Sequence, residues 1–82
     1  VYAFNAARLR EAAAENGDHN PLAMAKATGI SVSSAYRIHS GATQPDLISA
    51  LRISDAYGHE VRYFMDRVED EAADEEPAGA VA

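Results

Sequence analysis

Between Ser31 and Ser40 the chain reads SVSSAYRIHS, a stretch that concentrates hydroxyl, phenol, guanidinium and imidazole groups. At helical pitch, Ala35 and Ile38 fall on one side and mark it as apolar, with Met24 and Ile30 turning inward beside them. Val32, Ser33, Tyr36 and Arg37 then share the opposite side. Polar and basic groups on the outside of a short helix suit contact with a partner. They do not suit bond breaking. No Ser–His–Asp arrangement is implied, and no strand–turn–helix elbow is present to hold a nucleophilic serine. Close carboxylate pairs occur in the acidic run near the end, where nothing fixes their geometry. The chain is therefore not expected to be an enzyme.

Charge and composition narrow the classes further. Cysteine is absent, so neither a disulfide framework nor a thiolate zinc site is available. His19, His39 and His59 are too widely spaced for a ligand motif, and no metal or cofactor is expected. The formal net charge of −6 looks unfavourable for a nucleic-acid partner, but it is unevenly placed. Six of the thirteen acids lie in Glu69–Glu76 without a base among them, leaving seven acids against seven bases elsewhere. Residues 1–68 thus read as a neutral domain, and 69–82 as an acidic, disordered tail. No apolar run is long enough to span a bilayer, and no signal-like opening is visible. A soluble cytoplasmic protein is the expectation.

Helices must position the recognition stretch. Tyr2 to about Asn16 is alanine-rich and uninterrupted, with Tyr2, Ala6, Leu9 and Ala13 as its apolar stripe. Asn20-Pro21 is a start signal, a capping side chain followed by a residue that needs no amide donor, and the second helix runs to Thr28. Gly29 ends it, Ser31 caps a third helix over Val32–Ser40, and Gly41 closes that one. Asp46 caps a fourth, with Leu47, Ala50, Leu51, Ser54 and Tyr57 as its apolar face. A fifth is expected over about Glu60–Asp66, offering Val61, Phe64 and Met65 either to the core or to a dimer interface.

This succession resembles the phage repressor and Cro-like family, also called the xenobiotic-response-element family, of helix-turn-helix DNA-binding domains. The marks are Ala25 four residues before Gly29, then Ile30-Ser31, Ile38, Gly41 and Pro45-Asp46-Leu47. RISDAYG followed by HEVRYFM matches the family's fourth and fifth helices. The resemblance covers about Tyr2–Asp66 and implies an all-α, five-helix, lambda-repressor-like fold. It further implies that Ser31, Val32, Ser33, Tyr36 and Arg37 lie near bases. Arg37 would bond guanine bidentately, and Val32 would touch a thymine methyl. Asn20, Leu22, Lys26 and Ser40 become the phosphate contacts, partly through backbone amides at the start of the second helix. Pro21 departs from the glutamine frequent at that position, and the third helix offers only Arg37 and His39 as cations. A homodimer reading an inverted repeat is the remedy for so few charges.

Each residue also has a plainer role available. Arg37 can be a solvated arginine, Tyr36 can half-bury against the second helix, and His39 can be a packing residue. Arg8 and Lys26 can clamp phosphate or simply keep the protein soluble. The acidic run can solubilise, bind a protein partner, or compete with phosphate for the basic surface. Function is expected to be transcriptional repression, in phage immunity or lysogeny or as a small bacterial regulator. Two alternatives stand beside it: the antitoxin of a toxin–antitoxin pair, and a protein-interaction module that has lost DNA binding.

Overall fold

The computed structural model describes residues 1–68, so the acidic tail expected over 69–82 lies outside the described residues. In chain order the elements are β1 (Tyr2–Phe4), α1 (Ala6–Glu15), α2 (Pro21–Thr28), α3 (Val32–Ser40) and α4 (Leu47–Tyr57). A 3₁₀ turn (Val61–Phe64) and β2 (Met65–Arg67) follow. The domain is mostly helical, with four α-helices. The five-helix, all-α expectation is corrected at both ends.

The first correction moves the start of α1 from Tyr2 to Ala6. Asn5 is a poor interior residue but a good cap, and its side chain accepts the Arg8 N–H at 3.0 Å. Ahead of it, residues 2–4 are extended. The second correction replaces the fifth helix. Val61, Tyr63 and Phe64 are β-branched or aromatic, and one turn of such residues does not nucleate an α-helix. Met65–Arg67 instead pairs antiparallel with β1, with Tyr2 opposite Arg67, Ala3 opposite Asp66 and Phe4 opposite Met65. Asn5 N–H donates to the Phe64 carbonyl at 2.7 Å, and Asn5 Nδ2 donates to Asp66 at 2.9 Å. Chain start and domain end are thereby tied together. Tyr2, expected on the apolar stripe of α1, is exposed.

The core gathers Leu9, Ala12 and Ala13 of α1, Met24 and Ala25 of α2, Ala35 and Ile38 of α3, Ile53 and Tyr57 of α4, and Phe64. Small residues at the helix contacts let the axes come close. Phe64 is sealed inside, while Val61 and Met65 are half-buried. A third correction concerns α4. It buries Ala50, Ile53 and Tyr57, while Leu47 and Leu51 point outward with Ile48. Tyr57 Oη donates to Asp18 Oδ2 at 2.9 Å, anchoring the α1–α2 loop. Burial and that carboxylate push the Tyr57 phenol well above its ordinary range, so it keeps its proton.

Candidate nucleic-acid interface

Local chemistry accounts for the α2–turn–α3 unit. Asn20 accepts the Ala23 N–H at 2.8 Å, and the Met24 N–H goes to the Asn20 carbonyl. Pro21 has no N–H, so Leu22 carries the open amide donor of that first turn. Gly29 closes α2 at φ +81°, a left-handed conformation that glycine adopts without a Cβ clash. Ser31 then caps α3 by accepting the Ser34 N–H at 3.3 Å.

Three residues that sequence reasoning left aside hold this unit in place. Thr28 is buried, donates its hydroxyl to the Met24 carbonyl at 2.8 Å and accepts the Ile30 N–H at 3.2 Å. It thus bridges the last turn of α2 to the first residue beyond Gly29. Arg52 of α4 donates to the Gly29 carbonyl at 3.0 Å, capping α2 from outside. Arg10 of α1 does the same for the end of α3, donating to the His39 carbonyl at 2.7 Å. Guanidinium groups at helix C-termini satisfy orphan carbonyls and complement the negative end of the dipole. A threonine immediately before the turn glycine was a usable signal; the two arginine contacts span 23 and 29 residues and had none.

On the outer side of α3 the side chains fall as the helical spacing indicated. Met24, Ile30, Ala35 and Ile38 are buried. Val32 is 48% and Tyr36 51% exposed, and Ser31, Ser33 and Arg37 are exposed with them. Tyr36 thus keeps about half of its surface open to solvent. Ser40 is exposed too, but its hydroxyl donates to the Arg37 carbonyl at 3.1 Å and accepts the Ala42 N–H at 3.3 Å. A phosphate at Ser40 would have to displace that local donation. Asn20 is likewise occupied in its capping oxygen, and Lys26 stands exposed in the last turn of α2.

Cations divide into structural and unengaged groups. Arg8 pairs with Asp66 at 3.0 Å and donates to the Tyr63 carbonyl, Arg10 and Arg52 hold helix ends, and Arg62 lies over the Tyr2 ring. Among the described residues this leaves Lys26, Arg37 and Arg67 without such engagements. His39 is half-buried; desolvation first, and the Arg10 guanidinium second, lower its pKa below the ordinary 6.5. It is neutral at pH 7 and adds no cation to α3. What the face offers is a guanidinium, a phenol, hydroxyls and valine methyls in one stripe, with a single lysine nearby on α2. Such a set can bond base edges and a few phosphates.

No model of a known protein family, no curated protein and no solved structure matches the chain. No helix among the described residues is long and apolar enough to cross a membrane.

Proposed function

We propose that this protein is a sequence-specific duplex-DNA-binding regulator, acting as a dimeric repressor with α3 in the major groove. The reading takes the domain as a relative of the phage repressor and Cro-like fold in which a strand replaces the fifth helix. The observation that carries it is the outer stripe of α3: five side chains suited to base edges, all exposed, on a helix capped at both ends, with Arg10 of α1 bonded to its last turn and Arg52 of α4 bonded to the turn before it. A recognition element needs that combination of reach and rigidity. Lys26, the Leu22 amide and the α2 amino end supply the phosphate contacts, and two copies on an inverted repeat double them.

The test is retention of fragmented DNA from the source genome by the full chain, with Arg37→Ala alongside. Recovery of a short inverted repeat by the wild type, lost in the variant, is the expected result. No enrichment at low salt would sink the reading. It would favour the interaction module, whose supporting observation is that α2 and α3 together carry only two unengaged cations.

A further inference from the structure

The β1–β2 ribbon has one open edge. The Val68 N–H donates to the Val1 carbonyl and the Asn5 N–H to the Phe64 carbonyl, both at 2.7 Å, so these pairs aim their backbone groups at each other. In an antiparallel ladder the alternate pairs, Tyr2 with Arg67 and Phe4 with Met65, then aim theirs outward. Phe4 does so, donating its N–H to Gln44 Oε1 at 3.0 Å, which covers part of the β1 edge. On β2 the Met65 N–H goes to the Arg62 carbonyl. The Met65 carbonyl and both backbone groups of Arg67 have no partner among the described residues. An unpaired strand edge is a template for another strand.

Side chains beside that edge narrow what the strand carries. Tyr2, Met65 and Arg67 share one face of the ribbon. Tyr2, Arg62 and Met65 line an open cavity of about 230 Å³ there, room for a side chain but below the roughly 300 Å³ at which small-molecule sites begin. The Arg62 guanidinium lies 5.8 Å from the Tyr2 ring, and neither Arg62 nor Arg67 meets a carboxylate among the described residues. Asp66 is on the other face, held by Asn5 and Arg8.

We propose that the β2 edge binds an extended peptide of a protein partner, added antiparallel as a third strand and carrying an acidic, an uncharged and an apolar residue in that order. The acidic residue exchanges main-chain bonds with Arg67 and lies within reach of its guanidinium. Two residues on, the apolar side chain comes opposite Met65, at the cavity. The residue between them faces Asp66, where a carboxylate is repelled. Nucleic acid could meet the guanidiniums but brings no strand to the Arg67 backbone. Few main-chain bonds and one small apolar contact make the binding weak, with a dissociation constant on the order of 0.1–1 mM. The site shares no residue with the outer stripe of α3, so it stands whether or not α3 binds DNA.

The probe is an acetylated, amidated heptapeptide with glutamate, threonine and valine at its centre and serines around them, titrated into the isotope-labelled full chain. A saturable shift of the Arg67 amide, with Met65 and Tyr2 responding, is the expected result. Exchanging the glutamate and valine, or N-methylating the glutamate, should weaken binding at least about fivefold. The methyl removes the donor to the Arg67 carbonyl and keeps every side chain. Arg67→Gln should weaken the probe about three- to fivefold yet leave a glutamine-for-glutamate probe unchanged, with melting kept because Arg67 is exposed. No saturable shift at Arg67 up to about 5 mM probe, or binding indifferent to N-methylation, overturns the proposal. So does a duplex that shifts the Arg67 amide and needs Arg67 where the probe does not, which would give the two guanidiniums to phosphate instead.

Discussion

At the scale of single residues, Arg37 and Lys26 should fail in different ways. Arg37→Ala should cost about 1–3 kcal/mol on the recovered site and relax the preference at one base pair. Lys26→Ala should weaken all duplexes alike and lower the slope of log affinity against log salt by about 1. Binding isotherms on matched and substituted duplexes at several salt concentrations separate them. Gly29 makes a second test. An alanine there must hold φ near +81°, and its Cβ would stand 2.9 Å from Arg52 Nη1, so the guanidinium would have to leave the Gly29 carbonyl. Gly58 has a similar φ of +72° with open space around it. Gly29→Ala should therefore lower stability more than Gly58→Ala, each by about 1–2 kcal/mol at least, and the difference should vanish in an Arg52→Ala background. His39 adds a pH dependence. Its folded pKa is lowered, so the unfolded chain binds the proton first as pH falls. Its contribution to stability is full above about 6.5 and declines from there to the folded value; His39→Gln should flatten that part of a melting-temperature profile.

At the scale of elements, α2 and α3 were legible because their boundaries are local. Asn20, Pro21, Gly29, Ser31 and Gly41 act on backbone groups within four residues of themselves. The β1–β2 pair was not legible: its partners lie about 60 residues apart, and neither three-residue segment has a pattern of its own. Tertiary pairing overrode a helix-favouring composition there, as it commonly does. Asn5→Ala should show how much the junction matters. It removes both the α1 cap and the bond to Asp66, and should cost about 1–2 kcal/mol in denaturant unfolding. In α4 the periodicity admitted two faces, since Leu47, Ile48, Ala50, Leu51 and Ile53 surround more than half the helix. Ile53→Ala should lose about 2–5 kcal/mol, whereas Leu47→Ala should stay within about 0.5 kcal/mol, an ordering opposite to the one the sequence suggested.

At the scale of the whole molecule, charge is arranged by region. Residues 1–68 balance seven acids against seven bases, and the excess of six negative charges falls in Glu69–Glu76. Most of the arginines spend their charge on carbonyls, a carboxylate or a ring, so the proposed interface works with few cations, and its affinity should be modest with a shallow dependence on salt. Removing 69–82 should raise affinity for non-specific duplex at low salt, and unchanged affinity would dismiss competition between the acidic run and phosphate. The face that reads DNA is the central claim, and amide chemical shifts during titration with the recovered duplex test it most directly. Shifts concentrated at Ser31, Val32, Ser33, Tyr36, Arg37 and the Leu22 amide are the expected result. Shifts centred on the β1–β2 ribbon or on α4, with α3 silent, would contradict it.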